Sequence, residues 1–398
     1  MTNLPFESIP SNWKMERLDR LFRVINEDAH DSDEPISAFI DGSVTLRSNR
    51  PEVTIKGSGK EIGYKHIEKN DLVISGMNAH LGGLGISDSS GKCTPIYTVL
   101  RKKVELDENF IAFYLWHSAQ SGYVKSLVNA VRYNSSDFGP ETVKRFIVPV
   151  PPIEEQREIA EYLIELQKPI KILEKEEKLI KEYIASLLDT SFDRFRLEGS
   201  SAVLRGLIKQ DNNYVSIDND AVYDLLGVRW YGEGAFIRES VLGTETSALK
   251  LQKVSPGSLI YNRLFAWKES FAVVGEDLQN TYASGEFPMF TCEDDLLVDF
   301  LNYFLLSPRM ISLITLQSQG ASSISRSRWH ESELMKISIP LPKLSEQKLF
   351  VDLMNGHKSN LNSIRQRKDL HLQLIHSVTS SLVTGRITLS EIKRVAHA

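Results

Sequence analysis

The feature that most constrains this chain is a piece of punctuation written twice. Residues 148–156 read VPVPPIEEQ and residues 339–347 read IPLPKLSEQ, 191 positions apart. Each opens a long segment with few helix breakers, REIAEYLIELQKPIKILEKEEKLIKEYIASLLDTSFDRF in the first case and KLFVDLMNGHKSNLNSIRQRKDLHLQLIHSVTSSLVTGR in the second. Prolines hold the backbone extended just before each segment, so both predict extended chain giving way to a helix. Ser345 stands where it could cap the second helix, and the first has no equally good cap. Similarity at a fixed offset is the signature of an internal repeat.

Apolar spacing carries the repeat into the helices. Ile159, Leu163, Leu166, Ile170, Leu173, Ile180, Ile184 and Leu187 follow steps of four and three, with Glu177 on the one missing rung. Adding 191 gives Phe350, Met354, His357, Leu361, Ile364, His371, Ile375 and Val378, with Lys368 at the interrupted rung. A shared heptad seam in a shared register is what coiled-coil packing requires. The stripe is narrow and its opposite face dense in charge, as in LEKEEKLIKE, so a globular domain could not cover its length. The two helices are therefore expected to pair, antiparallel, with Ile159 opposite Val378. His357 and His371 are expected at the wetter edges of the seam rather than on a metal. Pro169 removes a helical hydrogen bond and predicts a kink or a short break around residues 165–169.

A chain of 398 residues is long enough for two or more domains. Around the helices, KNDLVISGMNAHLGGLGISDSSGKCTPIYTVLRKK and LQKVSPGSLIYNRLFAWKESFAVVGEDLQNTYASGEFPMFTC alternate apolar runs with Gly and Ser clusters, the rhythm of short strands and turns. Each is followed by a helical pattern, near ENFIAFYLWHSAQSGYVKSL and DFLNYFLLSPRMISLI. The fold class is thus mixed α/β, two similar domains joined by two long helices. The expected divisions are 1–147, 148–198 for the first proline segment and helix, 199–338, 339–384 for the second, and a tail over 385–398. NAVRYNSSDFGPETVKRFIVPVP from Asn129 aligns without a gap on GASSISRSRWHESELMKISIPLP from Gly320. Phe138 meets Trp329, whereas Arg132 meets Ser323 and Asp137 meets Arg328, so the frame is kept and the polar tips differ.

Catalytic patterns are wanting. GSGK at Gly57 to Lys60 has Thr54 and Glu61 where a phosphate loop needs Gly and Ser or Thr, and no GxSxG, HExxH or dinucleotide fingerprint occurs. The Asn/Asp-Pro-Pro-aromatic tetrad of amino-methyltransferases is also missing. The two cysteines, Cys93 and Cys292, are too few for a metal cluster and suit a reducing interior. No run approaches eighteen apolar residues, and MTNLPFESIP lacks the basic lead of a secretion signal, so a cytoplasmic location without membrane contact is expected. A net charge of -5 weighs against a surface that grips phosphates throughout, although residues 47–69 and SSISRSRW at 322–329 are locally basic.

IPSNWKMERLDRLF at Ile9 to Phe22, SGKCTPIYTVLR at Ser90 to Arg101, VPVPPIEEQREIA, VRWYGEGAFIRE at Val228 to Glu239, GSLIYNRLFAWKESFAVV at Gly257 to Val274, IPLPKLSEQ and the tail LVTGRI together resemble the specificity subunit, HsdS, of Type I restriction-modification systems. The resemblance covers nearly the whole chain. It implies two variable target recognition domains on an antiparallel helical spacer. Each domain would read one half of a split, asymmetric sequence in double-stranded DNA, and the helices would dock two modification methyltransferase subunits. Those subunits would bind S-adenosylmethionine and methylate adenine at N6, and motor-nuclease restriction subunits using ATP and Mg would complete the complex. The chain itself would hold no cofactor or metal and have no catalytic residue. A free-standing, sequence-specific DNA-binding regulator is the other reading. NNYVSIDNDAVYDLLG has no clear counterpart to IPSNWK, which leaves the start of the second domain open.

Base edges are read by donors and acceptors on groove-reaching loops. In the first domain the candidates are Lys60, Asn78, His80, Arg132, Tyr133 and Asn134; in the second, Arg263, Trp267, Lys268, Ser323, Arg326 and Arg328. Asn78 and His80 sit in GMNAHLGG, where glycines permit close backbone approach, though Asn78 could equally only shape a turn. Arg326 and Arg328 suit phosphate clamps better than base readers. Trp267 lies among apolar residues and fits a core position as well. Gln156 and Gln347 are read as orienting the helix starts or as ordinary first-turn polar residues.

Overall fold

In a computed structural model, which describes residues 9–50, 63–128, 138–318 and 328–396, the duplicated proline segments are strands. Ile147–Val150 pairs antiparallel with Lys14–Arg17, placing Pro149 opposite Met15. Ser338–Leu341 pairs in the same way with Ser200–Val203, placing Pro340 opposite Ser201. Proline survives here because each ribbon has only two strands, so one edge of each needs no ladder donor.

This pairing answers where the second domain begins. SSAVLRGLIKQD at 200–211 superposes on KMERLDRLFRVI at 14–25 with an offset of 186, and only two leucines are identical. Leu18 and Leu204 are fully buried, and Leu21 with Leu207 and Phe22 with Ile208 are buried beside them. NNYVSIDNDAVYDLLG is therefore internal, supplying the strands Tyr214–Ser216 and Val222–Val228.

Each domain has its own four-stranded sheet, with the same strand order in both. Phe22–Ile25, Tyr97–Lys102, Leu72–Ser75 and Leu84–Ile86 lie in that order in the first; Ile208–Asp211, Met289–Cys292, Leu259–Tyr261 and Phe271–Val273 repeat it in the second. Around this frame they diverge. The first adds two small ribbons, Ile36–Ala38 with Val44–Leu46 and Lys65–Ile67 with Gly91–Cys93. The second adds a five-stranded sheet built around the hairpin Val222–Val228 and Ala235–Leu242.

Ile153–Glu198 is one helix of 46 residues and Leu344–Val383 one of 40. The first runs through Pro169 without interruption, so the expected break is absent. Pro169 has no N–H to offer the Glu165 carbonyl, and the next carbonyl, Leu166, accepts from His371 Nε2 at 2.9 Å. A carbonyl can only accept, so this ring carries its proton on Nε2. The second helix starts one residue before Ser345, and the Glu346 carboxylate, not Ser345, accepts the Lys343 N–H at 3.1 Å. Each helix also has a buried glutamine in its first turn, Gln156 or Gln347.

By contact density the chain divides into two units, Met1–Leu173 with Arg367–Ala398, and Glu174–Gln366. In the first unit Ile159, Ala160 and Leu163 share a core with Leu382, Val383, Phe110, Tyr114 and Leu115. The partners run in opposite directions, 159–163 against 382–383 and 166 against 371. In the second unit Glu177 meets Arg365 at 3.1 Å, Tyr183 meets His357 edge to face at 5.1 Å, and Phe192 meets Phe350 at 5.2 Å, again an antiparallel pair. All the apolar positions of the expected seam are buried or half-buried, as are His357 and His371. Glu177, on the missing rung, is held by Arg365 and by Lys181 at 2.7 Å.

The second unit's core continues past the seam to Leu188, Phe192 and Phe195, which pack on Phe300 and Phe304 with ring centroids 5.1 to 5.7 Å apart where they meet across elements. Edge-to-face pairs of this kind add about 0.5–1.5 kcal/mol each beyond area burial. In the tail, Leu389–Ala396 is helical and Leu389 joins the first unit's core. Among the described residues no helix is long and apolar enough to cross a membrane.

Candidate nucleic-acid interface

In the first domain, the strand Leu72–Ser75 runs into the turn that carries Asn78 and His80. The Asn78 carbonyl accepts from the N–H groups of Leu81 and Gly83, both at 2.9 Å, so its backbone shapes the turn while its side chain stands exposed. Gly82 has φ +102°, and a Cβ there would come 2.6 Å from the Ile40 carbonyl oxygen. Only glycine meets both conditions. His80 is half-buried, with Nδ1 enclosed and without a hydrogen-bond partner among the described residues. The nearby basic stretch is partly engaged within the domain: Arg50 pairs with Asp41 at 2.8 Å and lies over the Phe39 ring, and Lys65 Nζ donates to the Tyr97 carbonyl at 2.8 Å.

The equivalent turn of the second domain is charged. Gly76 N–H donates to the Ile96 carbonyl at 3.1 Å in the first domain; Arg263 N–H donates to the Glu286 carbonyl at 3.1 Å in the second. One backbone bond thus carries Gly and an exposed Ile in one copy and Arg and Glu in the other. Arg263 extends to Glu331, which it grips with Nε at 3.2 Å and with Nη2, while Nη1 donates to the Gly285 carbonyl at 2.6 Å. Burial pulls the Arg263 guanidinium down, but the bonds and charge of Glu331 outweigh it and raise its pKa. Arg328 lies beside this pair, since Trp329 N–H donates to the Arg263 carbonyl at 3.0 Å. Its Nε and Nη2 hold the Glu286 carboxylate, each at 2.9 Å.

Trp267 is half-buried against the domain core and donates to the Leu264 carbonyl at 3.1 Å, a packing role. Lys268 presents its ammonium 3.5 Å over the Trp230 ring. Trp230 and Tyr231 stand exposed on the hairpin turn, with Tyr231 at φ +59°. Tyr231 and Gly232 donate to the carbonyls of Lys268 and Glu269 at 2.8 and 2.9 Å. The turn is tied to the second long helix by Lys358 Nζ, 2.9 Å from the Gly232 carbonyl, and by Arg365, 2.8 Å from the Glu233 carboxylate.

Residues 10–182 match the family model described as the Type I restriction modification DNA specificity domain. A protein of Methanocaldococcus jannaschii, named as the specificity subunit of the type I restriction enzyme MjaX, is 20% identical over 95% of this chain and 94% of its own length. Over its first part the chain is similar to the type I DNA specificity domain, and over nearly its whole length to a type I specificity subunit. The likeness extends to solved folds. A chain from a structure concerned with complex assembly and conformational transition of the type I R-M system aligns over 96% of this chain and all of its own length, with a TM-score of 0.56 at 15% identity. The S subunit of a Type-I system from M. genitalium aligns over 94% and 98%, with a TM-score of 0.52 at 11% identity.

The candidates divide by position. Lys60, Arg132, Tyr133, Asn134, Ser323 and Arg326 lie outside the described residues. Arg263 and Arg328 come together on the second domain, Lys268 lies over the Trp230 ring of the same domain, and Asn78 and His80 share a turn on the first. Sequence reasoning missed Glu286 and Glu331, 42 and 68 positions from the arginines they hold, because nothing local marks them. Burial pushes both the Cys93 and the Cys292 thiol up to about 12, with Asp299 and Glu293 adding to the effect on Cys292, so neither is a ready nucleophile. Among the described residues no cluster of three or more His, Cys, Asp or Glu could hold a metal.

Proposed function

We propose that this chain is the sequence-reading, non-catalytic subunit of a type I restriction-modification complex, each domain reading one half of an asymmetric bipartite target in double-stranded DNA. The observation that carries the reading is the shared frame with unlike tips, Gly76 and Ile96 in one domain answered by Arg263 and Glu286 in the other. Two different half-sites call for two different surfaces on one scaffold.

Two copies of one partner, conversely, call for two like surfaces. Leu179 and Tyr183 on the first long helix are each about half exposed, and so are Leu370 and Leu374, which stand 191 positions later on the second. These two i, i+4 pairs suit docking of two identical modification subunits, the adenine N6-methyltransferases that bind S-adenosylmethionine. Motor-nuclease subunits using ATP and Mg complete the assembly. Methylation-sensitive sequencing of DNA from cells carrying the system tests this. A split motif with two unlike halves is expected; selective DNA binding by a chain that captures no modification subunit would favour a free-standing regulator instead.

A further inference from the structure

The two arginine pairs of the second domain are not equally firm. Arg263 and Glu331 have side chains 23% and 18% exposed, and the Gly285 carbonyl takes a third donor. That guanidinium is nearly saturated and acts as a strut between residues 263, 285 and 331. Arg328 and Glu286 are 44% and 36% exposed, and the described contacts of the Arg328 guanidinium are all with that one carboxylate. Exposed pairs contribute little because water screens them, so a phosphate oxygen can take the place of Glu286. Displacement then leaves a bare carboxylate beside a phosphate, which is repulsive unless a donor reaches it. In the major groove the amino groups of cytosine and adenine are such donors.

Resting on the DNA-reading function above, we propose that Glu286 is a specificity-determining guard. It occupies Arg328 in the free protein, and the guanidinium is released without penalty only where a base amino group receives the freed carboxylate. The guard suppresses the indiscriminate phosphate grip that an open Arg328 would give. No such pair is needed at the matching place of the first domain, where Gly76 and Ile96 carry no charge. The chain's net charge of -5 fits a reader whose arginines are held in check until the right sequence arrives.

The test uses the full chain and two duplexes, one carrying the motif mapped by methylation and one of mixed sequence. Glu286→Gln is expected to tighten mixed-sequence binding about three- to tenfold at moderate salt, with the target duplex gaining less, so discrimination falls. Glu286→Gln combined with Arg328→Gln is expected to lose that tightening. An unchanged melting midpoint checks the fold of each variant. Mixed-sequence binding unaltered by Glu286→Gln would overturn the guard, as would equal tightening with Arg328 removed, since bulk charge alone would then suffice. A large loss confined to the target duplex would make Glu286 a plain base reader. If the unaltered chain binds neither duplex even at low salt, the DNA-reading function itself falls, and the guard with it.

Discussion

Gln156 and Gln347, 191 residues apart, make matching bonds. Gln156 Oε1 accepts from the Asp107 N–H at 3.0 Å, and its Nε2 donates to the Pro151 carbonyl at 2.8 Å. Gln347 Oε1 accepts from the Leu297 N–H at 2.9 Å, and its Nε2 donates to the carbonyls of Pro342 and Asp295, both at 2.9 Å. Asp107 and Leu297 immediately precede the helices Glu108–Gln120 and Val298–Leu305. Each glutamine therefore latches the start of a long helix to the start of a domain helix. Replacing either by Leu strands buried backbone groups and should cost about 1–3 kcal/mol in a denaturant titration. Gln347→Glu keeps an acceptor but turns a carboxylate against two carbonyls, so it should be worse than Leu at neutral pH and recover in part on acidification.

The buried ring of His117 sets an acid limit. Burial, helped by the charges of His376 and Arg386, holds its pKa down from 6.5 to about 4. Between those values the unfolded chain takes up a proton that the folded one refuses. Stability conferred above pH 6.5 is thus lost as pH falls through that window, by up to about 3 kcal/mol. A His117→Gln variant should show a flatter stability profile from pH 6.5 to 4, measured by denaturant midpoints, than the unaltered chain.

Pro169 weakens the helix it sits in. Pro169→Ala restores a donor for the Glu165 carbonyl and should stabilise by about 1–3 kcal/mol, raising the melting midpoint. A fall in that midpoint would mean that the contact between His371 and the Leu166 carbonyl depends on the proline.

The exposed helix pairs predict stoichiometry. Leu179→Glu with Tyr183→Glu, or Leu370→Glu with Leu374→Glu, should leave the chain folded, because these side chains are half in water, with the first pair slightly less stable for losing the ring contact of Tyr183 with His357. Native mass spectrometry should then find one modification subunit on each variant instead of two. Two subunits retained on both variants would place the docking surface elsewhere.

Much of the frame was legible because it is written in periodicity. Steps of four and three marked the seam from Ile159 to Val378, and the proline pairs marked the strands that lead into both helices. The start of the second domain was not legible, since a four-residue strand and one short turn keep only Leu204 and Leu207 in common with Leu18 and Leu21. Likewise, basic residues could be picked as phosphate contacts from their type, but their occupancy could not. Arg328 and Glu286 meet only because the fold brings two loops together, and the same is true of Arg263 and Glu331.

The strand ribbons have a consequence for how such a chain can change. Lys14–Arg17 beside Ile147–Val150, and Ser200–Val203 beside Ser338–Leu341, set each domain's way in next to its way out, about 5 Å apart. Everything lying between those two doorposts can be lengthened, shortened or exchanged while the posts stay put. The five-stranded sheet of the second domain, against the two small ribbons of the first, is what that freedom looks like when the two copies have used it differently.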